Sequence, residues 1–277
     1  MSRLTGWGHD SLGIMRSRSV RAPLMALALT GAITALACGG GASTSTPTAP
    51  SSTTSTTTPT TGDGSGSGST SLPAWYAQFG AAVQVSVAGT DVVLRTTSVP
   101  DHPSFYFGAG HASYEAPHAG MQPNQNRIVG QTVTLRVPVT PSMASTPTDT
   151  PLGPIGVAIN GVVLFNQYAA QRQPLTFEIL SFDRYNGHPT PTNQYHYHLE
   201  PLWLTQSGRS RLLGVLLDGY PAYGPVEAGG SRPSGLDWCN GHVHATSEFP
   251  AGTYHYHFTE SVPYLSGCFR GLRGSVG

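Results

Sequence analysis

Lysine is absent from this chain of 277 residues. All fourteen of its basic residues are arginine, fourteen acidic residues balance them, and only a tenth of the chain is charged. So few cations leave no basic patch of the kind a nucleic acid needs, and no nucleic-acid partner is expected. The sequence also lacks a G-x-S-x-G elbow, a Walker loop, a dinucleotide fingerprint and an H-E-x-x-H zinc helix, which removes the common sequence warrants for hydrolase, nucleotide and metalloprotease chemistry. The apolar run "APLMALALTGAITALA" (22–37) is too short and too rich in small residues for a comfortable membrane span. What is plentiful is glycine, 34 residues, and proline, 23. Together they point to many turns and few long helices.

That apolar run follows Arg16, Arg18 and Arg21, with Met15 as an alternative start, and reads as an export signal over 1–37 cleaved just before Cys38. Ala35-Leu36-Ala37 suits ordinary signal peptidase. A small residue followed directly by Cys and a Ser/Thr tether resembles instead a bacterial lipobox, which makes Cys38 a lipidation site and a lipid anchor the one membrane contact. The expected location is the cell envelope as a lipoprotein, or the medium as a secreted protein. Residues 38–71 form a Ser/Thr/Gly/Pro tether with no large apolar side chain to offset the entropy of ordering. About 205 residues remain, and 72–277 is expected to fold as one domain. In it Cys239 and Cys268 form an even pair. In an oxidising compartment they read as a disulfide, the alternative being a pair of metal-ligating thiolates.

Short β-like runs dominate the folded part. Residues 83–97 suggest a hairpin about a Gly-Thr-Asp turn, 131–139 alternate, and 153–165, 175–182 and 211–220 are apolar runs suited to buried strands. A helical turn is expected over 72–79. The fold class is mainly β: an antiparallel β-rich single domain with long loops and little helix.

An internal duplication organises the second half. "GVAINGV" (156–162) matches "GVLLDGY" (214–220), "FDRYNGH" (182–188) matches "LDWCNGH" (236–242), and "YHYH" occurs at 195–198 and 254–257, with offsets of 58, 54 and 59. Each unit, about 153–208 and 211–271, reads as strand, Gly turn, Asp-x-x-Asn-Gly-His loop and YHYH strand. The two units are expected to pack about a pseudo-twofold axis.

In a strand the tyrosines share one face and the histidines the other, so His196 with His198, and His255 with His257, can each reach one ion. His188 and His242, each after an Asn-Gly turn, are further ligand candidates, and His244 adds a second His-x-His with His242. Should the units face each other, four to six imidazoles converge. Imidazoles suit a transition metal such as Cu or Zn rather than Ca or Mg. Asp183 and Asp237 are expected either to accept an imidazole N–H or to orient the turn. Asp101 and His102 are candidates for a ligand or a proton-transfer pair. The bland alternative is a buried strand whose histidines bond backbone carbonyls. Asp218, Tyr220 and Tyr223 sit in a rigid "DGYPAYGP" loop (218–225) better suited to packing than to lining a pocket, while His111 and His118 carry no usable pattern.

Taken in order, "PDHP" (100–103), "GVAINGV", "FDRYNGHP", the two YHYH strings, "LDGYPAYGP", "LDWCNGH" and "GCFRG" (267–271) resemble the YHYH-domain family of exported bacterial proteins, named for the tetrapeptide. The resemblance covers roughly 100–271 and implies no particular activity. The family often has Cys at the position of Tyr185 and a second Cys after the first YHYH; here both are missing, which implies a disulfide lost from the first unit and kept in the second. The expected function is transition-metal binding by an exported, lipid-anchored protein. A metal-dependent hydrolase or oxidase is one alternative, with Asp101, His102 or Asp237 moving protons. A structural or carbohydrate- or surface-binding module, with tyrosines making the contacts, is the other.

Overall fold

The computed structural model describes residues 71–277. The expected signal, nearly all of the tether and Cys38 therefore lie outside the described residues. Those described are about 30% strand and 9% helix, and among them no helix is long and apolar enough to cross a membrane.

The strands run in chain order as β1 (Gln84–Ala88), β2 (Asp91–Thr96), β3 (Val133–Pro138), β4 (Met143–Asp149), β5 (Gly156–Ala158), β6 (Val163–Leu164) and β7 (Gly187–Pro189). They continue as β8 (Tyr195–Tyr197), β9 (Leu212–Leu216), β10 (Pro221–Tyr223), β11 (Gly241–His244), β12 (Thr253–His257), β13 (Cys268–Gly271) and β14 (Ser275–Val276). The one α-helix among the described residues, α1 (Leu202–Thr205), is a single turn, and Ala74–Gln78 makes the expected helical turn as a 3-10 helix. A four-stranded sheet runs β1-β2-β3-β14, a two-stranded one pairs β13 with β4, and an eight-stranded sheet runs β11-β12-β10-β9-β5-β6-β8-β7.

The alternation read at 131–139 is real: Val133, Leu135 and Val137 are buried while the residues between them are not. The run 175–182 behaves differently. Glu178–Ser181 is a 3-10 helix, not the strand expected. An apolar run of this length does not distinguish helix from strand by itself. Nor is the large sheet wholly antiparallel, because β6 pairs with β8, and β10 with β12, in parallel.

The order of the eight-stranded sheet is a palindrome in the duplicated units. β5, β6, β8 and β7 belong to the first, and β9, β10, β12 and β11 are their counterparts. At the centre Gly156 pairs with Leu216, Val157 with Val215 and Ala158 with Gly214. Adding 58 to one member of each pair and subtracting it from the other reproduces the same set, so a local twofold axis passes between Val157 and Val215. Gly156 and Gly214 are exchanged by that axis, and each is there for space. A Cβ on Gly156 would overlap the Val215 carbonyl oxygen, and one on Gly214 the Val157 carbonyl oxygen. Around this seam Val157, Val163, Leu164, Leu212, Leu213, Val215 and Leu216 are fully buried.

Candidate metal centres

The Asp-x-x-Asn-Gly-His loop folds the same way twice. Asp183 Oδ1 accepts the backbone N–H groups of Tyr185 (2.9 Å) and Gly187 (3.3 Å). Asp237 Oδ1 does so for Cys239 (2.9 Å) and Gly241 (3.2 Å). Asn186 and Asn240 take the left-handed conformation, with φ of 66° and 69°, that an Asn tolerates better than most residues. The glycine that follows must lack a side chain, since a Cβ on Gly187 or Gly241 would overlap the hydroxyl of Tyr195 or Tyr254. Those hydroxyls close the turn by donating to Asp183 (2.7 Å) and to Asp237 (3.0 Å). The two aspartates thus orient the turn; neither accepts an imidazole N–H, the other role considered for them.

This turn sets the histidines. His188 pairs across from His196 in the β7–β8 ladder, and His242 across from His255 in the β11–β12 ladder, so each pair shares one sheet face. His198 and His257, two residues further on, lie on that face too. In the first unit His188 and His196 Nε2 are 3.2 Å apart, and His196 and His198 Nε2 2.9 Å. Glu178 Oε1 completes the group at 3.0 Å from His188 and 3.8 Å from His198. In the second unit the spacings are 3.2 Å for His242 with His255, 3.1 Å for His255 with His257, and 3.1 and 3.4 Å from Glu227 Oε1 to His242 and His257. A tetrahedral ion with bonds of 2.0–2.1 Å has ligand-to-ligand edges of about 3.3–3.4 Å, so both quartets have the size to hold one.

The remaining ring nitrogens place the Nδ1 protons. His255, His257 and His242 each place Nδ1 on a backbone carbonyl, of Thr253 (3.1 Å), Gly224 (2.7 Å) and Ser234 (2.9 Å). A carbonyl only accepts, so each Nδ1 carries the proton. Burial holds His255 and His257 down at about 4, well below the usual imidazole value, so both rings are neutral at pH 7. Their Nε2 atoms are then bare lone pairs. In the first unit His196 and His198 put Nδ1 on the carbonyls of Gln194 and Asn166. His188 Nδ1 meets the Ser181 hydroxyl (2.7 Å), whose own proton goes to the Glu178 carbonyl. Burial lowers His198 to about 4 and His196 well below the usual value.

Each cluster therefore aims three Nε2 atoms and a carboxylate oxygen at one point. Glu227 Oε1 is buried and makes no hydrogen bond outside the cluster. The bland alternative, histidines that bond carbonyls, is true of every Nδ1 but one and accounts for none of the Nε2 atoms.

The two quartets do not converge on one ion, as facing units would require. β8 and β12 are separated by five strand spacings, or about 24 Å along the sheet. Each unit builds its own site. The motif tyrosines lie on the opposite face, and Tyr195, Tyr197, Tyr254 and Tyr256 are all buried, so none is free to make a surface contact. Tyr197 and Tyr256 reach positions 58 apart in the chain: Asn160 donates to the Tyr197 hydroxyl (3.3 Å), and the Tyr256 hydroxyl donates to Asp218 (2.5 Å). Burial raises Asp218 to about 6.

Asp101 and His102 belong to that tyrosine side. His102 Nε2 meets the Tyr197 hydroxyl at 2.7 Å and Asp101 accepts from Asn160 at 2.9 Å, so neither supplies a ligand or moves protons at a cluster. His244 stands at the rim of the second cluster, half exposed, with Nδ1 3.5 Å from Glu227 Oε2. Tyr220 and Tyr223 pack, as the rigid loop suggested. His111 is exposed and His118 bonds backbone carbonyls. Cys239 and Cys268 are disulfide-bonded, with Cα atoms 5.1 Å apart. In the first unit Tyr185 occupies the position equivalent to Cys239 and packs its ring on His102 and Trp203.

A family model described as "YHYH protein" matches residues 134–232 and 226–271. The chain belongs to the YHYH protein family. No curated protein and no solved structure matches it significantly. Within this YHYH protein the two glutamates are the site residues that sequence reasoning missed. A signal was present: Glu178 is the only acidic residue between Phe165 and Phe182, and Glu227 the only one between Tyr223 and Leu236.

Proposed function

We propose that this YHYH protein is an exported metal-binding protein that holds two transition-metal ions per chain, one in each unit. The ligands are Glu178, His188, His196 and His198 in the first, and Glu227, His242, His255 and His257 in the second. The observation that carries this reading is the convergence of three imidazole Nε2 atoms on a carboxylate oxygen at both sites, with five of the six Nδ1 atoms bonded to backbone carbonyls and that of His188 to the Ser181 hydroxyl. Three imidazoles and one carboxylate suit Zn or Cu far better than Ca or Mg. Export is supported by the disulfide, which persists in oxidising compartments. A signal over 1–37 with lipidation at Cys38 accounts for delivery to the cell envelope, with the lipid as the membrane contact and no nucleic-acid partner.

Anomalous scattering from crystals grown with Zn or Cu tests the sites. The expected result is two peaks per chain, each about 2.0–2.1 Å from three Nε2 atoms and a glutamate oxygen. Peaks elsewhere, or a single ion bridging both units, contradict it.

A further inference from the structure

The two clusters are near copies, but their surroundings are not. In the second unit three residues separate Tyr223 from Glu227; in the first, twelve separate Phe165 from Glu178. The nine additional residues make a loop closed by a bridge between Tyr168 and Pro174, with a 3-10 helix at Ala170–Arg172. That loop raises a wall beside the first cluster. The resulting cleft, about 390 Å³, has His188, His196 and His198 in its lining together with Leu152, Phe165 and Pro191. Beside the second cluster the space is larger, about 610 Å³, but its walls are mostly polar, Ser231, Arg232, Ser234 and His244 with Val243 and Ala228, and no Phe, Tyr or Trp lines it.

The cleft also has a charge preference. Apart from Glu178 and the three histidines, no ionisable acid or base except the Tyr168 phenol lines it. With a divalent ion on neutral imidazoles and one carboxylate, the floor carries a net charge of about +1 under apolar walls, where a charge interacts more strongly than in water. Glu178 is a quarter exposed, whereas His196 and His198 are almost fully buried, so the glutamate is the ligand able to shift when an incoming donor binds. A cleft of this size takes a small organic molecule, within the ordinary range of ligand pockets.

We infer that the first centre, and not the second, is a binding site for an organic anion with a ring-sized apolar body, whose oxygen head coordinates the ion while the ring lies against Phe165, Leu152 and Pro191. This inference rests on the metal reading of the same clusters. The duplicated units have then diverged in role. The first site receives a ligand, and the second has an ion set behind a polar surface.

Cobalt(II)-loaded protein tests the two readings separately. Cobalt content is measured first, and the visible spectrum is then titrated with benzohydroxamate and with acetohydroxamate, which share a head and differ in the ring. With two cobalt ions bound, the expected result is that benzohydroxamate changes the spectrum of one of them and binds at least tenfold more tightly than acetohydroxamate. The responding ion is the one lost in His196→Gln, and Leu152→Glu, at a half-exposed position, weakens the benzohydroxamate complex about tenfold by setting a negative charge beside the anion. Two bound cobalt ions with no ring preference, or with equal responses at both, overturn the inference and leave the metal reading intact. Failure to bind cobalt, Zn or Cu overturns both.

Discussion

Replacing Asp183 with Ala should be among the most damaging single changes in the chain, and the reason is countable. Its carboxylate accepts four hydrogen bonds: from the Ser104 hydroxyl at 2.6 Å, the Tyr195 hydroxyl at 2.7 Å, and the N–H groups of Tyr185 and Gly187. The side chain and both hydroxyls are buried. A hydrogen bond to a charged group contributes about 1.5–3 kcal/mol, and a buried donor left unpaired costs about as much. Allowing water to replace part of the loss, Asp183→Ala should cost about 4–6 kcal/mol, against a total stability of about 5–15 kcal/mol for a domain. Asp237 makes three of these bonds in the second unit, from the Tyr254 hydroxyl and the N–H groups of Cys239 and Gly241, with Arg270 Nε at 3.6 Å where the first unit has the Ser104 hydroxyl, and its side chain is 32% exposed. Solvent can take over its donors, and Asp237→Ala should cost only about 1–2 kcal/mol. Urea unfolding of chelator-treated protein measures both without a contribution from bound metal. A cost below about 1.5 kcal/mol for Asp183→Ala, or equal costs for the two variants, would refute the argument that burial of these four bonds holds the turn.

The metal-free protein should be acid-labile. His198, His255 and His257 sit at about 4 in the fold against 6.5 for a free imidazole, so the unfolded chain binds more protons and stability is lost as pH falls from about 6.5 toward 4. Asp218, raised to about 6, opposes this by stabilising the fold over pH 6 to 4, but it is one group against several; a melting temperature that rises on acidification over that window would contradict the balance. Gly156→Ala and Gly214→Ala should each destabilise by about 2–4 kcal/mol and by similar amounts, because each Cβ meets a backbone carbonyl across the twofold seam; thermal denaturation showing one of them neutral would break the equivalence. Cys239→Ser with Cys268→Ser should cost about 3.5 kcal/mol, the chain-entropy value for a loop of about thirty residues, read by urea unfolding against the unreduced parent.

Much of this was legible in the chain before its fold was known, for physical reasons. Period-two alternation placed β3, and Gly-Thr-Asp placed the β1–β2 hairpin, because these signals are local. The duplication predicted a twofold axis, and β5 and β9 meet on one. The His-x-His geometry needed only the strand period. What stayed hidden depended on packing. The strand order that sends the two YHYH strands to opposite halves of the sheet is a long-range choice, so convergence on one ion could not be told from separation. The glutamates come from segments with no period, a 3-10 turn in one unit and a loop in the other, and their offset of 49 fits none of the three repeat blocks. His102 resembled a catalytic group by its neighbours in sequence, yet it packs behind the strand on Tyr197, on the face opposite the histidine clusters.

Two ions per chain is the central claim, and elemental analysis of protein purified without a histidine tag tests it most directly. Parent protein equilibrated with Zn or Cu and then desalted should carry two equivalents. His196→Gln and His255→Gln should each carry one, and the double variant none. Fewer than about a tenth of an equivalent in the parent protein, unchanged by incubation with either metal, would contradict the account at its root.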